Sequence, residues 1–210
     1  MKIPSLVLWA NDKQLECPVC WQAVTVDMFQ NIYRQGGTLD PVRVFSILTG
    51  TSFDRLLDET REDLDAAVYQ CTAFIYNQDQ SFRKIECPKG INIGGKFVMI
   101  PRQLGRLTIG QNFHIRQELA QHPNLESAIS IACAVYLQPL IDGAKFDINR
   151  AKEIEKEILT MNIFEVFPVG FFYLSKLNNY GRSGLLSYLL RILSTIGIRK
   201  KSLTWRMSNA

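Results

Sequence analysis

The chain has 210 residues, 47% of them hydrophobic and 21% charged, a mix that excludes wholesale disorder and a length that supports a real core, as one domain or two closely packed halves. The formal net charge of +4 is unevenly spread. From residue 178 onward there are six basic residues and no acid; taking those six from the chain's 24 leaves 18 basic against 20 acidic residues, a net of −2 for the body. Five cysteines, an odd number, fit a reducing compartment better than a disulfide framework. The start does not read as a secretory signal, since its short apolar run carries Pro4 and meets Asn11-Asp12-Lys13 directly. No run reaches the roughly 18 apolar residues of a membrane span: residues 163–174 include Glu165 and Pro168, and residues 185–198 include Arg191. The expectation is a soluble protein made in a cytoplasm, without a membrane span.

In chain order, residues 1–23 read as irregular, with a short strand at residues 5–9 and a turn at Cys17-Pro18. Thr25 is a credible N-cap for a helix to about Arg34, with Asp27 in its first turn, ending at Gly36-Gly37. Asp40-Pro41 supplies N-cap and first helical position for a second helix through Leu48, closed by Gly50. Ser52 begins a third, with Phe53, Leu56 and Leu57 inward. Residues 61–76 are the clearest amphipathic stretch, with Leu64, Ala67, Val68, Cys71 and Ile75 on one stripe. Gly94-Gly95 between Ile91-Asn92-Ile93 and Lys96-Phe97-Val98 predicts a hairpin over residues 91–100. Thr108 reads as another N-cap. The helix it opens breaks at His122-Pro123-Asn124, and a new one runs from Leu125 to Leu137, stopping before Pro139. Asp147 or Asn149 caps a charged helix whose Ile154 and Ile158 face inward. A strongly apolar stretch, residues 163–177, follows; Asn178-Asn179-Tyr180-Gly181 is a hinge, and beyond it lies an apolar-basic helix.

One pattern appears twice. Val24-Thr25-Val26-Asp27-Met28-Phe29-Gln30-Asn31-Ile32 is matched by Leu107-Thr108-Ile109-Gly110-Gln111-Asn112-Phe113-His114-Ile115. Each copy is followed by an apolar run, Val44-Phe45-Ser46-Ile47-Leu48 and Ala128-Ile129-Ser130-Ile131-Ala132. So long a period predicts two related helical units and not a solenoid of short repeats. The expected fold is therefore mainly α: a first unit within residues 1–80, a small antiparallel β-hairpin linker at 81–104, a second helical unit at 105–177 and a C-terminal helical arm at 178–210.

Reaction chemistry finds little to work with. Cys17-Pro18-Val19-Cys20 has the spacing of a zinc knuckle, but a structural site needs four ligands. Cys87 and His114 or His122 would have to be recruited from afar, so ordinary turn cysteines are the better reading. Asp54, Asp58, Glu59, Glu62, Asp63 and Asp65 spread around a helical surface and alternate with Arg55 and Arg61, as a solvated face does. Nucleophile elbow, metalloprotease helix, phosphate loop and dinucleotide fingerprint are all missing from the sequence. We expect no enzymatic activity, no cofactor and no metal. The C-terminus carries more. Leu185, Leu186, Leu189, Leu190, Leu193 and Ile196 form a wide apolar surface with Arg191 outside it. Covered by a neighbouring subunit, they would make an assembly arm that also offers Arg199, Lys200, Lys201 and Trp205. Those last four could instead bind nucleic acid by charge and stacking, but six basic residues over so long a segment make a thin electrostatic footprint.

Several phrases resemble small helical proteins of tailed bacteriophages, of the tail-assembly and virion-structural class. They are Val42-Arg43-Val44-Phe45-Ser46-Ile47-Leu48-Thr49-Gly50, Leu107-Thr108-Ile109-Gly110-Gln111, Tyr136-Leu137-Gln138-Pro139-Leu140-Ile141-Asp142-Gly143 and Glu165-Val166-Phe167-Pro168-Val169-Gly170-Phe171-Phe172. The resemblance runs in scattered phrases over residues 22–177 and carries no ligand or catalytic residue. It implies a protein whose work is contact: a non-enzymatic component of the particle near the portal or tail, touching other phage structural proteins in a ring or larger assembly. The alternatives are a tail-assembly chaperone that leaves before the virion matures, and a nucleic-acid-binding protein using the basic tail.

Overall fold

The computed structural model describes residues 5–10, 13–35, 39–57, 62–76, 85–102, 108–122, 124 and 126–175. The chain divides into one compact unit, Met1–Tyr173, and a second, Leu174–Ala210. The arm expected over residues 178–210 lies outside the described residues. The fold is mainly α, with two small antiparallel hairpins.

The first hairpin pairs β1 (Ser5–Ala10) with β2 (Lys13–Pro18). The sequence reading placed a strand only in the first half and a turn at Cys17-Pro18. The second strand forms because Gln14, Leu15, Glu16 and Cys17 alternate: Gln14 and Glu16 face water while Cys17 is buried. Ser5 Oγ donates to Glu16 Oε1 at 2.6 Å on the outer face.

The helices start and stop where local chemistry dictates. In α1 (Val26–Arg34) the Thr25 hydroxyl accepts from the Met28 amide at 3.3 Å. In α2 (Pro41–Thr49) Asp40 Oδ1 accepts from the Val42 and Arg43 amides at 2.8 and 3.1 Å, and Pro41 takes a position where its missing N–H costs nothing. Gly50 ends α2 at φ 66°, the left-handed conformation that favours glycine. The short α3 (Phe53–Leu57) buries Leu56, and Arg43 lays its guanidinium over the Phe53 ring. The next helix, α4 (Glu62–Tyr76), turns Val68, Cys71 and Ile75 inward as the stripe required. After β3 (Gly90–Ile93) and β4 (Lys96–Met99) comes α5 (Ile109–Gln121), then a 3-10 turn at Glu126–Ala128 leading into α6 (Ile129–Asp142). Asp147 caps α7 (Ile148–Thr160), which buries Ile154 and Ile158. Residues 163–175 form the last described helix, α8.

The core is organised around α6. Its residues 129–138 are all buried, so over this stretch the helix has no solvent face. It packs against α7, α5 and β4, and α8 comes so close that a side chain on Gly170 would meet Cys133 Sγ at 2.9 Å and Ile129 Cγ2 at 3.3 Å. An aromatic cluster ties the N-terminal helices to this centre: Trp21 is edge-on to Phe29 and Phe74, and Phe29 is edge-on to Phe167. The starts of α1 and α8 are clamped by a short antiparallel bridge, in which Val26 N–H donates to Met161 O and Ile163 N–H to Val24 O.

The sequence reading stopped the central helix before Pro139; it continues to Asp142. Proline there lacks the amide that would bond to the carbonyl four residues back, that of Val135. Gln111 supplies the donor: its side-chain Nε2 gives to Val135 O at 3.1 Å, while its Oε1 accepts from the Thr108 amide at 3.1 Å in a capping box. One buried side chain thus closes the start of α5 and makes the proline tolerable in α6.

The twice-written pattern is reflected in part. Thr25 and Thr108 both cap helices with their hydroxyls. Ile32 and Ile115 are both buried, as are the pairs Val44 and Ala128, Phe45 and Ile129, Leu48 and Ala132. Equivalence ends elsewhere: Val26 is buried whereas Ile109 is 90% exposed, and Leu56 is buried whereas Leu140 is exposed.

Replacing Gln111 with Met should cost about 2–3 kcal/mol, from an unsatisfied buried carbonyl and a weakened cap. In a Pro139→Ala background, where residue 139 regains an amide for Val135 O, the same replacement should cost clearly less. Urea unfolding of the four proteins measures this coupling; equal costs in both backgrounds would contradict it.

Candidate functional site

The β3–β4 hairpin carries an exposed apolar pair bordered by two grooves. Gly94 and Gly95 both adopt positive φ, 56° and 75°, as a two-residue turn matching strand twist needs. This fixes the register: Ile91 opposite Val98, Asn92 opposite Phe97, Gly90 opposite Met99. Strand alternation then sends Ile91, Ile93 and Val98 into the core and leaves Asn92, Phe97 and Met99 outside. Phe97 is 62% and Met99 63% exposed, large apolar side chains two residues apart on one face.

That face is shaped, not merely exposed. The Phe97 ring leans diagonally across Gly90, occupying the space where any side chain would sit. On one side a groove of about 300 Å³ is lined by Cys87, Lys89, Met99, Pro101, Arg102 and Phe172. On the other a groove of about 280 Å³ is lined by Ile85, Pro88, Asn92, Phe97, Phe164 and Glu165. From α8, Phe172 borders the first groove and Phe164 with Glu165 the second. The result is an apolar centre with Lys89, Arg102 and Glu165 at its margin. The sequence reading found the hairpin but not this face. Writing the register outward from Gly94-Gly95 would have placed Phe97 and Met99 together, opposite the buried Val98.

Among the described residues singled out from sequence, Cys87 alone borders this face. Leu185, Leu186, Leu189, Leu190, Arg191, Leu193, Ile196, Arg199, Lys200, Lys201 and Trp205 lie outside the described residues. Cys17 is buried, and its thiol is pushed up by its hydrogen bond with Cys71 and by burial, which keeps it a neutral core group. Cys20 precedes the 3-10 turn Trp21–Ala23, half-buried. Cys87 lines the first groove, and burial pushes its thiol up. His114 lies between the rings of Phe113 and Phe146, each centroid 5.6 Å away. His122 ends α5, and burial, then Arg34, lowers its pKa against the pull of Glu118. Among the described residues no three His, Cys, Asp or Glu side chains gather as a metal site. Of the acidic cluster, Asp54 and Asp65 are exposed, as a solvated face requires; Asp58 and Glu59 lie outside the described residues.

A second polar feature is internal. Gln30 on α1, Ser130 on α6 and Glu155 on α7 are joined by hydrogen bonds, and Gln30 Nε2 also donates to Ser127 O at 3.0 Å. Gln138 makes a comparable junction at the far end of α6, where its Oε1 accepts from the Asp147 amide at 3.0 Å.

No family model matches the chain, and neither a curated protein nor a solved structure matches it. Among the described residues no helix is long and apolar enough to cross a membrane.

Gly90→Ala should cost about 1–3 kcal/mol, because the added methyl would meet the Phe97 ring and the Val98 carbonyl oxygen at 2.8 Å. Thermal or urea unfolding checks the value. A neutral effect would mean that Phe97 does not rest on this glycine.

Proposed function

We propose that this protein is a non-enzymatic structural component of a tailed-phage particle, placed in the portal or tail region and acting through protein–protein contacts. It is made in the host cytoplasm and resides in the virion. The observation that carries the contact reading is the outer face of the β3–β4 hairpin, where Phe97 and Met99 stand exposed between two grooves. A large apolar pair held on a two-stranded element, rimmed by Lys89, Arg102 and Glu165, suits burial against another subunit. The placement in a phage particle rests on the phage-like phrases of the sequence. The C-terminal segment adds a second contact element on sequence grounds, through Leu185, Leu186, Leu189, Leu190, Leu193 and Ile196.

Mass spectrometry of purified particles should find the protein at a fixed copy number. Its presence during assembly but absence from finished particles would replace this reading with that of a tail-assembly chaperone. The double variant Phe97→Asp, Met99→Asp should still fold, at a modest cost because Phe97 gives up its contact with Gly90, yet fail to incorporate. Normal incorporation of the folded variant would remove the hairpin from the contact set. Deleting residues 182–210 should leave a folded monomer that no longer assembles. If that deletion instead assembles normally and loses salt-sensitive DNA binding, the basic tail is a nucleic-acid element.

A further inference from the structure

The junction of α1, α6 and α7 poses a counting problem in protons. Gln30, Ser127 and Ser130 are fully buried, so water cannot complete their hydrogen bonds. Ser127 O can only accept, which fixes the amide of Gln30: Nε2 points to Ser127 O at 3.0 Å, and Oε1 must face Ser130 Oγ, also at 3.0 Å. Ser130 Oγ lies 2.6 Å from Glu155 Oε1 as well. Two acceptor oxygens therefore flank one hydroxyl, and a hydroxyl has one proton to give. If Glu155 is a carboxylate, it captures that proton by charge, and Gln30 Oε1 is left buried opposite an oxygen lone pair. If Glu155 carries a proton, the chain of donors closes: Glu155 gives to Ser130, Ser130 to Gln30 Oε1, and Gln30 Nε2 to Ser127 O. Only the second arrangement gives Gln30 Oε1 a donor while Ser130 stays bonded to the half-buried Glu155.

We propose that Glu155 is held as a neutral carboxylic acid in the folded protein, donating to Ser130 and so forming a proton-dependent latch that ties α7 through α6 to α1. Closing the latch takes one proton from solvent, and opening it with Glu155 ionised returns that proton. The surroundings agree. Burial is the largest influence and pushes the Glu155 carboxyl up; Glu118 of α5 pushes the same way. Arg34 of α1 and Lys152 on α7 itself oppose it, and Ser130 would oppose it only when donating to the carboxylate. His122 of α5 is near Arg34 and Glu118 and is itself biased towards neutrality, so it adds little positive charge to favour a carboxylate. On the neighbouring part of α7, Glu157 turns to Gly94 of the β3–β4 turn and takes no part.

The sign of the pH dependence follows. A carboxyl raised in the folded state favours folding fully below its unfolded-state value, and this contribution is lost as pH rises through the folded-state value. The full chain, with isotopically labelled glutamate, should show the Glu155 side-chain carbon titrating above the ordinary glutamate range. In Glu155→Gln a side-chain amide replaces the acid and donates to Ser130 at every pH. Its unfolding midpoint in urea should match the parent's at acid pH and exceed it increasingly as pH rises towards neutrality. Titration of Glu155 within the ordinary range would overturn the latch, as would a Glu155→Gln protein that keeps the parent's pH dependence. Should that variant fail to fold, the titration of the parent decides alone.

Discussion

With residues 129–138 of α6 all buried, water is denied to the polar groups of that stretch. A buried helix is simple to build when it is regular and wholly apolar, since its backbone satisfies itself. This one is neither. It begins without a side-chain cap at Ala128, contains Pro139, and ends beside a loop leading into α7. Each irregularity exposes a carbonyl or amide that must find a protein partner, because an unpaired buried group costs roughly 1–3 kcal/mol.

Three buried glutamines meet that demand, and each does so across elements. Gln30 reaches from α1 to Ser127 O at the entrance of α6; Gln111 reaches from α5 to Val135 O, freed by Pro139; Gln138 accepts the Asp147 amide where α7 starts. Glutamine suits the task because its amide both donates and accepts, so one side chain can join two backbone positions. The same contacts fix the helices around α6 and therefore fix what they carry. The β3–β4 hairpin rests its Ile91, Ile93 and Val98 on this frame, which leaves Phe97 and Met99 presented outward.

What could be read from the sequence was what depends on neighbours in the chain. Thr25, Asp40-Pro41, Gly50, Thr108 and Gly94-Gly95 announce their roles through capping and turn chemistry acting over a few residues. The second strand of the first hairpin was missed because its alternation covers only residues 14–17, too short to outweigh the adjacent Cys17-Pro18. The continuation of α6 past Pro139 was missed for a different reason: the donor that makes it possible lies 24 residues upstream of the carbonyl it satisfies. No local rule connects Gln111 to Val135. The exposed face of Phe97 and Met99 was in principle legible, since it follows from the turn register alone.

Native-state hydrogen exchange on the free protein tests the central claim directly, that α6 is the cooperative heart of the body and the glutamines are its polar closure. The amides of residues 132–138 should be the slowest in the chain, exchanging only by global unfolding, while those of β1 and β2 exchange through local opening at lower cost. If α6 amides exchange faster than those of the outer helices α2 and α4, the body is not organised around this helix and the account fails.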